Sequence, residues 1–506
     1  MRLSRLALGH VAVVAAGLTV AAALPAGLAA ARTGVTAPAG STIKVVATVR
    51  SVNVPKNGTY VQVDPGIYVE TFGPALEYYV RRASYAKPLT ITQVIQRPGS
   101  RPVLRPLPAS TLQGWSGLRR FLQVTVRNAR GRTVTSSVLP FCPSGFSPQR
   151  ATPTSPGNSP FPANCYSGNP FQKGAVWGLQ RSWGEDPLGG GIGRGGMQLK
   201  LGLGRYTMTV QITQMWRRLL YLSRRAPAAT VRIHVVRPSQ CTQPCQPQRR
   251  ALRTAGTGAL PRLQSAPTMA HPPAAVLPDL IPLPSWGISV QNHPATSQHL
   301  ATSLLSFGAT VWIGGHSRLD VEGFRSGTSP VMPAYQYFWR GGRIVGRVRA
   351  GTMGFDNQKG HHHWHFQQFA EYRLLNAGKN LVERSHKVGF CLAPDNAIDL
   401  TIPHAQWQLK YTSQVNQCGT PDALWVQEML PLGWGDTYPQ SVAGNSFNIT
   451  NLPNGTYYIE IIANPEHVLH ESNYRNDASL RKVILGGTSG HRTVRVPAYH
   501  GIDPEH

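Results

Sequence analysis

"GTYYIEIIANP", residues 455–465, decides the fold class. On an extended chain successive side chains face opposite sides. Tyr457, Ile459 and Ile461 then share one face of a strand, and Tyr458, Glu460 and Ile462 share the other. Strand patterns recur outward from it, in "ATVWIGG" (309–315), "YQYFWRGGRIVGRVRA" (335–350) and "QWQLKYTS" (406–413). The first half alternates too, in "STIKVVATVRSVNV" (41–54), "RFLQVTVRNARGRTVTSSVL" (120–139) and "GRYTMTVQITQMW" (204–216). In the second of these, "NARGR" supplies a turn between two runs. Long helical patterns are nearly absent. The chain is therefore expected to be all-β, with a sandwich-like first half and a second β domain.

Five segments are expected. Residues 1–31 read as a secretory signal: Arg2 and Arg5 start it, an Ala/Val/Leu stretch follows, and Pro25 precedes the small residues Ala29–Ala31. The alternative is an uncleaved anchor, and no later segment is long and apolar enough to span a bilayer. A basic β-rich domain covers 42–237. Within it, 143–197 is rich in Pro, Gly, Ser and Asn and reads as a long loop, and "GGGIGRGG" (189–196) as a flexible part of it rather than a phosphate cradle. A Pro/Gln/Ser-rich linker follows at 238–275, where an exposed chain would be cut. A second domain occupies 276–490, and 491–506 is a tail.

The six cysteines form three local pairs, Cys142 with Cys165, Cys241 with Cys245 and Cys391 with Cys418. An even count in an exported chain favours disulfides, and neighbour pairing is the simplest of the connectivities sequence leaves open. Of the 50 Lys and Arg and 22 Asp and Glu, 17 of each sign fall after residue 275, which leaves 33 basic and 5 acidic residues before it. This asymmetry points to a first half that holds an anionic surface, in an exported chain a wall polymer or anionic lipid, through basic residues in 42–275. A merely solubilising surface is the alternative; no nucleic-acid partner is expected. The excess of arginine over lysine fits a GC-rich bacterial genome. The expected location is secreted or wall-associated.

"KGHHHWHFQQFAEYRLL", residues 359–375, packs four histidines into five positions. On a strand His361, His363 and His365 share one side, and imidazole nitrogen suits zinc, copper, iron or nickel. On a flat strand the outer two would stand ~13 Å apart, so ligation of one ion by all three needs a bend, which Gly360 permits. A surface histidine patch with incidental affinity is the bland alternative.

"HHHWHFQQFAEYRLLN" (361–376), "HKVGFCL" (386–392), "GDTYPQ" (435–440) and "LPNGTYYIEIIANPEHVLHESNYRND" (452–477) occur in the order and character seen in lysyl oxidases, and "LPDL" (277–280) and "LLSFGATVWIGGHSRLDVEGF" (304–324) resemble the start of that catalytic domain. The likeness covers about residues 276–485. It implies a lysyl-oxidase-like β domain and copper-dependent oxidative deamination of primary amines, protein lysines among them, to aldehydes. Oxygen is consumed, and hydrogen peroxide and ammonia are released. It further implies Cu(II) held by His361, His363 and His365, with His362 out of phase, and a lysine tyrosylquinone made from Lys387 and Tyr438. A nearby cation or burial would favour the unprotonated amine that such a bond requires.

A proton acceptor is also required. Glu371 is the first candidate, although animal members have a histidine there and one more residue in the spacing; Asp436 is the second, as base or as a group that orients Tyr438. Pairing Cys391 with Cys418 would fix the loop carrying Lys387. "ESNYRND" (471–477) reads as structural. Two rival functions predict no quinone. One is a non-catalytic metal-binding wall adhesion protein, the other a copper enzyme that uses histidines alone.

Overall fold

The computed structural model describes residues 43–97, 99–145, 148–189, 196–223, 228–238, 266–325, 329–357, 363–387, 389–409, 418–421 and 423–505. The signal stretch, His361 and His362, Gly360, Cys241 and Cys245, most of the linker and the centre of the glycine run lie outside them. Residues 40–506 form one compact unit. The fold is all-β, and among the described residues there is one α-helix, Gln214–Leu219. No described helix is long and apolar enough to cross a membrane.

In the first half, a five-stranded sheet runs in the order Ser51–Pro55, Ala229–Val236, Gly204–Ile212, Leu118–Asn128, Thr133–Phe141. It shares its core with a four-stranded sheet of Gly174–Leu179, Leu76–Arg81, Thr90–Arg97 and Ser100–Leu107 and with a second of Ile43–Ala47, Ile67–Thr71, Trp183–Glu185 and Gln149–Arg150. Their inward positions, among them Val124, Val126, Met208, Val231, Ile233, Tyr78, Val80 and Trp177, share one core. This is the sandwich that alternation predicts. Ser100–Leu107 carries Pro102 and Pro106 and lies at a sheet edge, where a missing N–H is tolerated.

Two readings, one in each half, need correction. The stretch 143–197 is not all loop, since it contains Gly174–Leu179, in which every residue is buried. A strand covered on both faces has no alternation to betray it. In "QWQLKYTS", Gln406–Leu409 form no strand, and 410–413 lie outside the described residues. Trp407 instead donates its indole N–H to Leu400 O at 3.1 Å and packs against Tyr79 and Phe161 of the first half.

The second half has three sheets around one core. The strand Thr302–Gly315 is nearly continuous in buried residues and pairs with Pro278–Pro282, Trp286–His293, Trp434–Tyr438 and Ser446–Asn448. A second sheet runs His363–Phe366, Arg343–Asp356, Val331–Arg340, Leu319–Phe324, Trp425–Leu430. The third holds Leu381–Arg384, Ala370–Asn376, Gly455–Ala463, Ala478–Thr488 and His491–Arg495. The last strand falls in the stretch read as a tail, and it closes the sheet by pairing Ile484 with Arg495. In the opening strand Gly455–Ala463, Tyr457, Ile459 and Ile461 are buried on one face, as the alternation requires. "ESNYRND" ties strands together: Glu471 accepts the Leu280 N–H at 2.9 Å and the Asn464 amide at 2.6 Å.

The halves meet over apolar clusters. Phe171 joins Leu283, Trp312 and Ile398, and Phe161 and Val176 join Leu400 and Trp434. Backbone bonds cross as well: Lys173 N donates to Ile398 O at 2.7 Å and Leu400 N to Gly174 O at 3.0 Å. The end of the linker is ordered on the second half, where Met269 N donates to Arg347 O at 2.8 Å.

Candidate functional site

The strand "HWHF" (363–366) sorts its side chains by alternation. Trp364 and Phe366 are fully buried in the core. His363 and His365 project from the other face, with ring centroids 4.7 Å apart. They pair in register with Asp356 and Gly354 of the neighbouring strand. Asp356 stands close behind, its Oδ2 3.4 Å from His365 Nδ1. His361, the third expected ligand, lies outside the described residues. Among the described residues, no three His, Cys, Asp or Glu side chains converge as a metal-binding group.

The loop carrying Lys387 is bound to this strand. Phe366 and Phe390 exchange two backbone hydrogen bonds, at 2.8 and 3.0 Å. Between them Gly389 lies so close that a Cβ there would come within 2.8 Å of His365 Cβ. At Gly444, with φ +87°, a Cβ would come within 3.0 Å of Lys387 N, and both the backbone angle and the close approach favour a residue without a side chain. Cys391 is bonded to Cys418, and Cys418 O accepts the Trp364 N–H at 2.8 Å, so the bridge joins the lysine loop to the histidine strand. Cys142 and Cys165 are bonded as well.

Tyr438 ends the strand Trp434–Tyr438. Its hydroxyl accepts the Cys391 N–H at 2.7 Å and donates to Cys391 O at 3.1 Å, and the Phe390 ring meets its ring edge-on at 5.2 Å. The Lys387 ammonium lies 4.6 Å from the centre of the Tyr438 ring. Two residues 51 positions apart in sequence are thus in contact. Lys387 also lines a cavity of about 540 Å³ with His365, Asp356, His386, Gln367 and Gly444. Lysine, tyrosine and the histidine pair form one site.

The electrostatics follow from burial. Desolvation pulls the Lys387 ammonium below the ordinary lysine range, against the pull of Asp436 and Asp356. Desolvation raises the Tyr438 phenol well above its usual value; Asp436, Tyr372 and Glu428 add to this, and the Cys391 N–H opposes it. Asp436 is 2 % exposed and accepts the Ala393 N–H at 3.3 Å, while its Oδ2 has no hydrogen-bond partner. Burial raises its pKa well above the carboxylate range, Asp395 and Glu428 reinforce this, and Lys387 opposes it. Glu428, fully buried, is pushed to about 8 by desolvation, against the N–H groups of Leu392 and Phe366. Burial thus favours the neutral forms of Lys387, Asp436 and Glu428 alike.

Glu371 is not brought to this group. On Ala370–Asn376 its neighbour Tyr372 points into the core and packs on Phe390, so Glu371 takes the opposite face. There it accepts both Arg373 donors, at 3.0 and 2.7 Å, and is held by Arg384. Burial alone would raise its pKa, but the two guanidiniums outweigh it and hold the carboxylate below its usual range. The structure thus places Glu371, the first candidate for the proton acceptor, in ion pairs with Arg373 and Arg384, and places Asp436, the second, on the strand that carries Tyr438. Sequence reasoning missed Asp356, Tyr372 and Glu428. Asp356 sits on the strand next to the histidines, so it was recoverable from hairpin register; the other two needed tertiary pairing.

A family model for lysyl oxidase matches residues 349–493, which take in the histidine, lysine and tyrosine segments. The chain carries a lysyl oxidase family domain. Over 118 residues it is 28% identical to lysyl oxidase homolog 2 of Gallus gallus, covering 23% of this chain and 13% of that protein. Lysyl oxidase homolog 4 of Bos taurus is 26% identical over 137 residues, 27% of this chain and 16% of its own length. For lysyl oxidase homolog 3B of Danio rerio the figures are 26% over 138 residues, 27% and 15%. The match thus spans less than a fifth of each relative. Residues 276–348 lie outside it, yet their strands complete the sheets of the lysyl oxidase domain.

Proposed function

We propose that the second half is a copper-dependent amine oxidase, converting primary amines to aldehydes with release of hydrogen peroxide and ammonia. The observation that carries this reading is the contact between Lys387 and Tyr438, 4.6 Å from ammonium to ring centre, beside paired imidazoles. The donor chemistry fits the metal: two imidazoles on one strand face are ligands of the type copper takes, and Asp356 stands behind His365. His363 and His365 would hold the ion, with His361 as the expected third ligand. Copper with a quinone made from Lys387 and Tyr438 would supply the redox chemistry and an electrophilic carbon for the amine.

The chain's own residues do the rest. Burial favours the neutral amine of Lys387, the form able to bond to an oxidised ring. Cys391 grips the Tyr438 hydroxyl through both backbone groups and fixes the ring plane. Asp436, on the tyrosine strand and electrostatically linked to both reacting groups, is the group that exchanges protons with them: burial favours its neutral form, so it donates first, from the unpartnered Oδ2, and accepts a proton only in the ionised form that donation leaves. The cavity admits the substrate past Pro330, Val331 and Phe355, an apolar rim suited to an alkyl chain ending in an amine. Protein lysine side chains are the preferred substrates. The basic first half is the preferred contact for an anionic wall polymer, and an exported location follows from both.

Copper-loaded, aerated protein should stain for quinone and form peroxide with n-butylamine. Lys387→Ala and Tyr438→Phe should each abolish both signals while copper stays bound. Turnover that survives either change refutes the quinone reading and leaves the metal site standing.

A further inference from the structure

We propose that the first half of the chain is part of the amine oxidase site: the loop Ser167–Asn169 clamps the strand that carries Asp436 and Tyr438. This rests on the reading of Tyr438 as the cofactor tyrosine. The clamp is a closed run of hydrogen bonds that begins and ends on one loop. Asn169, fully buried, donates its amide N–H to Thr310 Oγ1 at 3.0 Å. The Thr310 and Thr437 hydroxyls lie 2.9 Å apart. Thr437 Oγ1 donates to Asn396 Oδ1 at 2.8 Å, and Asn396 Nδ2 donates to Ser167 O at 2.8 Å.

One arrangement of protons satisfies the whole run. Asn169 Oδ1 accepts the Phe171 N–H at 2.9 Å, so its amide nitrogen faces Thr310. Ser167 O can only accept, so Asn396 must donate there and accept from Thr437. Thr437 gives its single proton to Asn396 and therefore receives one from Thr310, which receives from Asn169. Every member is used in one direction, the condition under which a buried polar network fixes a single geometry.

Thr437 is the residue that makes this matter. It lies between Asp436 and Tyr438, so strand alternation turns its hydroxyl away from the reactive side. The first half thus grips the back of the tyrosine strand. The loop is itself anchored: Cys165, two residues before Ser167, is bonded to Cys142, its carbonyl accepts the Trp177 indole N–H at 2.9 Å, and Gln172 Oε1 accepts both the N–H and the hydroxyl of Ser167 at 3.0 Å. Asn169 and Thr437 are positioning residues, and a displacement of about 1 Å at a reacting ring is worth on the order of 100-fold in rate. On this account a cut in the linker does not free an independent catalytic half.

The test uses the full chain, loaded with copper(II) in air. Asn169→Leu and Thr437→Val should slow quinone appearance at least tenfold and lower kcat for n-butylamine with KM within twofold. Amide exchange over 434–439 should speed up at least tenfold. Thr437→Ser, which keeps the hydroxyl, should restore all three. Wild-type rates and unchanged exchange in both variants would overturn the clamp. If Asn169→Leu does not fold, the Thr437→Val and Thr437→Ser pair decides alone. If the wild type forms no quinone, the Tyr438 reading fails, and exchange over 434–439 still judges the clamp: faster exchange upholds it, unchanged exchange refutes it.

Discussion

Replacing both Cys391 and Cys418 by alanine separates what the bridge does for stability from what it does for chemistry. The bridge closes a loop with a sequence separation of 27. In the chain-entropy account, a loop of that length removes about 12 cal/mol/K from the unfolded ensemble, or about 3.5 kcal/mol at 25 °C. For a domain of this size each kcal/mol is worth roughly 2–4 °C, so the melting point of the second half should fall by roughly 7–14 °C. The chemistry should survive below the lowered transition. Tyr438 is held by the backbone N–H and carbonyl of Cys391, not by its sulfur. The Phe366–Phe390 bonds and the close packing of Gly389 and Gly444 hold the lysine loop independently. Denaturant titration of the double variant measures the first quantity, and quinone absorbance after copper loading measures the second. A loss under 1 kcal/mol would refute the entropic argument. Full stability loss with no quinone at 15 °C would refute the claim that backbone contacts suffice to place the two residues.

Three further outcomes follow from the same geometry. Gly389→Ala places a methyl within 2.8 Å of His365 Cβ, so the lysine loop must retreat from the histidine strand; quinone yield should fall at least tenfold, and copper affinity, read by chelator competition, should fall with it. Asp436→Asn should abolish turnover, whereas Glu371→Gln should change kcat less than threefold and cost under about 1 kcal/mol, because its ion pairs are partly exposed; the reverse pattern would restore Glu371 as the base. Glu428 is raised from 4.5 to about 8 on folding, so the native state keeps a proton that the unfolded chain loses. Its contribution is full below pH 4.5 and declines as pH rises to 8, by at most about 1.4 kcal/mol per unit, and Glu428→Gln should flatten the stability–pH curve in that window.

The legible part of this chain was the part governed by period-two alternation. It placed Tyr457, Ile459 and Ile461 on a buried face and His363 and His365 on a shared one. The same rule, applied to "AEYRLL", separates Glu371 from the buried Tyr372, so that misplacement was avoidable. Gly174–Leu179 was hidden because a strand buried on both faces carries no alternating signal. Lys387 and Tyr438 came only through a family resemblance, since their approach depends on Phe366 pairing with Phe390 and on two glycines that let backbones touch. The route from Asn169 through Thr310 and Thr437 to Asn396 crosses four separate segments, and no local pattern announces it.

The most direct measurement is peptide mass spectrometry of the full chain after copper loading in air. The account predicts one covalently joined species containing Lys387 and Tyr438, at the mass of a lysine bonded to an oxidised tyrosine, and its absence from protein kept metal-free. Recovery of the two peptides separate and unmodified from aerated, copper-bound protein would contradict it.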